Sequence, residues 1–210
     1  ELEESLGKLD ISEYSRNDTL HPSLVTGSYC WQTTLSRKID FNGVGLHSGN
    51  EVKVSIMPGK EDTGITFIRT DLNGDIKKRK IKANYLFVSD TSLCTTIENE
   101  YGIKVSTIEH IMAAFNGSGI DNAEVELDNI EVPIMDGSSL PFLNLIEEAG
   151  ITQQAANRKI LKILQKVEVK EDNKICSINP SNGFDFITEI DFDSLAVGKQ
   201  SAALSIENYG

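Results

Sequence analysis

The sequence lacks several features that mark specialised classes of protein. It has only three cysteines in 210 residues, Cys30, Cys94 and Cys176. Their odd number and wide spacing argue against a disulfide framework and a cysteine-rich zinc site, and favour a reducing compartment. No apolar run approaches the roughly 20 residues of a membrane-spanning helix, and the first thirty residues show no secretory signal pattern. We therefore expect a cytoplasmic protein without a membrane span.

Positive charge is also scarce. Twenty Lys and Arg stand against thirty-two Asp and Glu, which gives a net charge of −12. This balance disfavours bulk polyanions, so nucleic acid is not a predicted partner. A few basic side chains could still converge on a nucleotide-linked small molecule. With 39% hydrophobic and 25% charged residues, the composition is that of a folded globular protein.

The hydrophobic pattern divides the chain into four parts. Residues 1–30 are polar and acidic and are predicted to form an N-terminal extension. Residues 31–151 contain short β segments between turn residues and then two helical patterns, which predicts an α+β two-layer sandwich of a mainly antiparallel sheet with two helices. The polar residues 152–159 are predicted to be a linker. Residues 160–210 resume β character and are expected to be the truncated start of a second domain of the same type, too short to close a core.

Both predicted helices have an apolar stripe. The first runs from Thr107 to near Gly117, and the second from Ser139 to Glu148 before Gly150. Apolar residues in the first helix recur at helical spacing and are predicted to face the sheet: Ile108, Ile111, Met112 and Phe115.

Glu109 and His110 are predicted to point away from that stripe. We expect them to share the far side of the helix with Ala113 and Ala114, where small side chains leave a floor for a metal ion or a substrate. In the chemical interpretation, His110 binds zinc and Glu109 takes a proton from water. In the structural alternative, Ser106 and Glu109 form a capping box. The sequence pattern is compatible with both the chemical and the structural interpretation.

Two further segments have alternative interpretations. The sequence Gly-Val-Gly-Leu-His-Ser-Gly, residues 43–49, precedes a strand pattern and not a helix, which excludes a dinucleotide-binding fingerprint. It is either a glycine-rich hairpin loop or a loop that brings His47 to a site. Cys94 is either a small, buried residue or a thiolate metal ligand.

These segments, in this order, resemble the zinc-dependent UDP-3-O-acyl-N-acetylglucosamine deacetylases (the LpxC family). The resemblance runs from about Gln32 to the end of the chain. The matching stretches are residues 32–35 (QTTL), 43–49 (GVGLHSG), 90–95 (DTSLCT), 106–114 (STIEHIMAA), 119–122 (GIDN) and 132–138 (VPIMDGS).

The resemblance implies a function and roles for particular residues. The family removes an acetyl group from UDP-3-O-(3-hydroxyacyl)-N-acetylglucosamine in lipid A biosynthesis, with Zn²⁺ as cofactor, in a cleft between two similar α/β domains. By motif, Glu109 resembles the general base and His110 the first zinc ligand. His47, Leu93 and Cys94 match positions that line the cleft.

The same resemblance implies that part of the site is absent from this chain. The family's other zinc ligands, a His and an Asp in an HKxxDxxGD-like segment, and a later His that acts as an acid, have no counterpart in the 210 residues. We therefore expect the chain alone to be incomplete and inactive, and to self-associate through its partial second domain. The alternatives are a non-catalytic fragment that binds nucleotide sugars or regulates a partner, and a purely structural scaffold.

Overall fold

The α+β fold predicted from the sequence is confirmed by a computed structural model, which describes residues 31–159, 161–181 and 184–205. The predicted extension, including His21 and Cys30, lies outside these ranges. The strands are β1 (Trp31–Leu35), β2 (Ile39–Val44), β3 (Glu51–Pro58), β4 (Ile65–Arg69), β5 (Lys80–Lys82), β6 (Val88–Asp90), β7 (Thr96–Glu98), β8 (Lys104–Val105), β9 (Ala123–Leu127), β10 (Ile151–Asn157), β11 (Val167–Glu171), β12 (Lys174–Ile178), β13 (Asp185–Asp191) and β14 (Lys199–Ser205). The α-helices are α1 (Glu109–Gly117) and α2 (Leu140–Ala149), and 3-10 turns span Ile76–Arg79 and Tyr85–Phe87.

A five-stranded sheet in the order β2-β3-β9-β4-β5 forms one layer. Its pairs are antiparallel except β4 with β9, which is parallel because β9 inserts between two strands that precede it in the chain. The sheet is therefore mainly antiparallel, as predicted, but it is not a simple meander. Alternate residues of β3 and β9 are buried, as a sheet with one covered face requires: Val52, Val54, Ile56, Ala123, Val125 and Leu127.

The two helices form the covering layer, and they contact each other. From α1 the side chains of Ile111, Ala114 and Phe115 enter the core, and α2 contributes three more buried side chains: Phe142, Ile146 and Ala149. Phe142 meets Phe41 of β2 edge to face, with ring centroids 5.8 Å apart. Such aromatic pairs stabilise beyond the area they bury. No helix of the described residues is long and apolar enough to span a membrane.

The segment predicted as a linker is instead largely a strand. Residues 151–157 form β10, which pairs antiparallel with β1 in a separate two-stranded sheet. Its side chains are mostly exposed, so the polar sequence gave no period-2 signal of a half-buried strand. Arg158 then forms an ion pair of 2.8 Å with Asp121, which ties the end of this segment to the stretch between α1 and β9. The division into two domains stays a prediction.

The later described residues form two antiparallel hairpins, β11–β12 and β13–β14. Every residue of β11, β12 and β13 is exposed in this chain, including large apolar side chains such as Ile175, Phe186 and Ile187. These hairpins thus present apolar surface that the described residues do not cover.

Candidate functional site

The start of α1 differs from the capping box that the sequence suggests. The helix begins at Glu109, one residue after an uncapped Ile108, and Thr107 has a left-handed φ of 57°. Since Glu109 is the first helical residue and not the third, its side chain cannot reach back to Ser106 in the capping geometry. The Ser106 hydroxyl instead donates to the carbonyl of Ile130. The capping interpretation of Glu109 is therefore wrong.

The Glu109 carboxylate is oriented by the segment that contains Leu93 and Cys94. The backbone N–H of Thr95 donates to Oε2 of Glu109 at 3.0 Å, and the N–H of Ile108 donates to the Thr95 carbonyl at 3.4 Å. Leu93 is exposed and Cys94 is a half-buried free thiol. Within the described residues, no hydrogen bond reaches Oε1 of Glu109, so one carboxylate oxygen is held and the other is not engaged.

The predicted floor beside the pair is only half correct. Ala113 is exposed, but Ala114 is fully buried in the core. The reason is helical geometry, since Ala114 follows Ile111 by three residues and so lies on the same face. Glu109 and His110 are half-buried in the first turn, one helical turn before Ala113 and Ala114 respectively. In the described chain, the His110 imidazole forms no hydrogen bond.

The glycine-rich segment comprises the end of β2 and the loop of the β2–β3 hairpin, and this loop carries an exposed His47. Two glycines allow close approach by the segment after β9. A Cβ at Gly43 would lie 2.7 Å from Cβ of Pro133, and a Cβ at Gly45 would lie 2.5 Å from Oε2 of Glu131. A side chain at Gly43 would meet the ring of Pro133, and one at Gly45 would displace the side chains of Ser48 and Glu131.

Glu131 is a site residue that the sequence analysis does not predict. Its side chain is only 1% exposed and receives the N–H groups of His47 at 3.0 Å and Ser48 at 2.8 Å, and the hydroxyl of Thr107 at 2.9 Å. Burial raises the pKa of this carboxyl, but the donors from the loop and Thr107 outweigh burial and hold the pKa below its ordinary value. The available signal was a lone acidic residue between apolar Ile130 and Val132.

Hydrogen bonds therefore connect three predicted segments at one end of the helix layer. Thr95 links the Leu93–Cys94 segment to Glu109, and Glu131 links the His47 loop to Thr107.

A zinc site requires more protein ligands than these segments provide. The described residues contain no group of three or more His, Cys, Asp or Glu side chains that could hold a metal ion. A catalytic zinc usually has three protein ligands, so His110 alone does not make a site.

The fold and the site define a class of protein: a two-layer α+β protein with a helix-borne Glu–His pair beside a hairpin loop. Comparison with known proteins gives the family. The sequence profile described as UDP-3-O-acyl N-acetylglycosamine deacetylase matches residues 32–209, and the chain belongs to this family.

Curated relatives carry the same description. The chain is 45% identical to UDP-3-O-acyl-N-acetylglucosamine deacetylase of Neisseria meningitidis serogroup C (strain FAM18) over 179 residues. This alignment covers 85% of this chain and 58% of the relative. It is also 46% identical to the deacetylase of that name from Pasteurella multocida, over 80% of this chain and 54% of the relative. The identity to the deacetylase from Chromohalobacter salexigens is 46% as well, over 84% of this chain and 57% of the relative. The chain thus spans little more than half the length of these relatives.

Proposed function

We propose that this chain provides the base-bearing part of a deacetylase that removes the acetyl group of UDP-3-O-(3-hydroxyacyl)-N-acetylglucosamine in lipid A biosynthesis. The observation that supports this most directly is the Glu109–His110 pair at the start of α1, with one carboxylate oxygen fixed by the Thr95 N–H at 3.0 Å. The substrate is inferred from family membership and from the relatives' names.

In the proposed reaction Glu109 is the general base. Its carboxylate takes a proton from a water molecule whose oxygen attacks the acetamide carbonyl. The C–N bond then breaks, acetate leaves, and the sugar nitrogen becomes a free amine after it takes up a proton. The Thr95 N–H keeps the carboxylate in one orientation, which matters because a base must lie within hydrogen-bonding distance of the proton that it removes.

Zinc dependence is part of the proposal. Zn²⁺ would lower the pKa of water and polarise the carbonyl, and His110 would be one ligand, since its imidazole makes no hydrogen bond within the described residues. The same residues offer no cluster of three ligands, so the others must come from elsewhere. Since the family's other ligand segment also has no counterpart in the sequence, we propose that the 210-residue chain alone is inactive. His47, Leu93 and Cys94 are proposed to line the substrate cleft. The small number of cysteines, of which Cys94 and Cys176 are free thiols in the described residues, favours the cytoplasm as its compartment.

The test compares two proteins in an acetate-release assay with UDP-3-O-acyl-N-acetylglucosamine and Zn²⁺. One is the 210-residue chain, and the other is a chimera in which it is continued by the C-terminal part of the N. meningitidis relative that lies beyond the matched region. We expect turnover by the chimera only. Turnover by the chain alone, if it vanished with Glu109→Gln, would overturn the proposed incompleteness.

The catalytic role of Glu109 is tested in the same chimera. Glu109→Gln retains an acceptor for the Thr95 N–H but cannot take a proton, and we expect kcat to fall about 10²- to 10⁴-fold. The matched control is Glu147→Gln, on the exposed surface of α2, which should leave kcat unchanged. If Glu109→Gln kept full activity, Glu109 would not be the base, and the scaffold interpretation would be favoured.

A further inference from the structure

The buried carboxylate of Glu131 lies at the centre of a small network. Oε1 accepts from the backbone N–H of His47 and from the hydroxyl of Thr107, and Oε2 accepts from the backbone N–H of Ser48. No ion pair to Glu131 forms among the described residues. Directed hydrogen bonds, and not a countercharge, therefore compensate the loss of hydration.

The donors come from two segments that are far apart in the sequence. His47 and Ser48 belong to the β2–β3 loop, whereas Thr107 lies two residues before Glu109. Around Thr107 the backbone is also attached to the Glu131 segment, because the Ser106 N–H donates to the Ile130 carbonyl and the Val132 N–H donates to the Ser106 carbonyl. One carboxylate thus bridges the His47 loop and the start of α1.

The conformation of Thr107 makes this bridge informative. A β-branched residue with φ of 57° is a backbone outlier that persists only where its surroundings enforce it. Thr107 is 2% exposed, and its hydroxyl is directed at Oε1 of Glu131. The left-handed turn at Thr107 sets the direction in which α1 begins, and so the position of Glu109 and His110.

We propose that Glu131 is a positioning residue that fixes the His47 loop relative to the start of α1, and so to Glu109 and His110. Its consequence for catalysis rests on the proposed deacetylase function, but the positioning itself does not. The close approach at Gly45, where a Cβ would lie 2.5 Å from Oε2 of Glu131, shows that the loop backbone is fitted around this carboxylate.

The positioning is tested by amide NMR on the 210-residue chain. In Glu131→Gln we expect the hydrogen-exchange protection of the His47 and Ser48 amides to fall at least tenfold, while that of Val54 in β3 stays unchanged and reports an intact core. The amide signals of Glu109 and His110 should shift. Unchanged loop protection, or unmoved Glu109 and His110 signals, would overturn the proposal.

A second substitution breaks only one side of the bridge. Thr107→Val keeps the β-branch but removes the hydroxyl, so the Glu109 and His110 signals should shift while the His47 and Ser48 amides stay protected. Thr107→Ser restores the donor and should return the signals toward the wild-type positions. The same shift in both variants would refute a role for the hydroxyl.

Activity is measured in the chimera described above. We expect Glu131→Gln to lower kcat at least tenfold and to raise KM less than threefold, because the base is misplaced while, of the proposed cleft residues, only His47 lies on the loosened loop. Glu124→Gln, which removes the partner of Lys80 elsewhere in the sheet, is the control and should change neither constant. Unaltered kcat in Glu131→Gln would refute the catalytic consequence. An inactive chimera would refute the proposed function instead and leave the NMR test decisive for the positioning.

Discussion

Asn122 is a buried polar residue whose hydrogen bonds are predicted to contribute strongly to the stability of the fold. Its side chain is 1% exposed, and Nδ2 donates to Oε1 of Gln32 at 2.8 Å and to Oε1 of Gln154 at 2.7 Å. Oδ1 accepts from the N–H of Gly64 at 2.8 Å. One amide therefore joins β1, β10 and the turn before β4.

The magnitude follows from the partners that a substitution leaves behind. In Asn122→Ala three buried or half-buried groups, the N–H of Gly64 and the two glutamine oxygens, lose a hydrogen bond together. Each such loss costs about 1 kcal/mol or more, so we expect the free energy of unfolding to fall by roughly 3 kcal/mol. At a urea m-value of about 2 kcal/mol/M, the midpoint moves down by roughly 1.5 M.

The assay is urea unfolding followed by fluorescence. The chain has a single tryptophan, Trp31, which lies in β1 opposite Asn157 of β10 and so reports on the strand pair that Asn122 supports. Asn42→Ala, at an exposed position of β2, is the matched control and should move the midpoint little. A loss below 1 kcal/mol for Asn122→Ala would show that water or rearranged glutamines replace these bonds, and the reasoning would fail.

Three further predictions concern the loop and the hairpins. Since the pKa of Glu131 is held below its ordinary value of 4.5, its ionised form contributes stability that is complete above pH 4.5 and lost as the pH falls through the folded-state pKa. The free energies of unfolding of wild type and Glu131→Gln, measured in urea, should therefore differ less at pH 3 than at pH 7. An equal difference at both pH values would contradict this prediction. Gly45→Ala should lower stability by about 1–3 kcal/mol in thermal unfolding, because its Cβ meets the buried carboxylate, and an unchanged midpoint would show that the loop can move away. The exposed apolar hairpins should make the chain self-associate, as measured by light scattering. Ile187→Lys should weaken this self-association more than Thr188→Lys does. A monomer at high protein concentration would refute the prediction.

Periodic segments were predictable because their signal is local. Strand β9, Ala123–Leu127, has such a signal, since its alternating apolar residues all face one covered side. The apolar stripe of α1 is confirmed as well, with Ile108, Ile111 and Phe115 buried and Met112 half-buried. In both cases a single buried face imposes the period.

Other features were not predictable because their causes are tertiary. The start of α1 depends on the left-handed φ of Thr107, whose hydroxyl partner is 24 residues away. Strand β10 is defined by pairing with β1, more than a hundred residues earlier, and not by its own polar side chains. Glu131 meets the loop residues 83 and 84 positions away. The partners in each of these contacts lie farther apart than the window of about 11–18 residues in which hydrophobic periodicity is recognised.

The functional proposal depends on side chains whose hydrogen-bonding groups are not all satisfied within the described residues. Asn122 and Gly45, although they belong to the motifs that carry the family resemblance, are accounted for by packing and hydrogen bonding alone. Glu109 differs, because only one of its oxygens is held within the described residues. His110 differs further, since its half-buried ring forms no hydrogen bond there. We therefore propose a chemical role for the Glu–His pair, because hydrogen bonds within the described residues use only part of what these two side chains can bind.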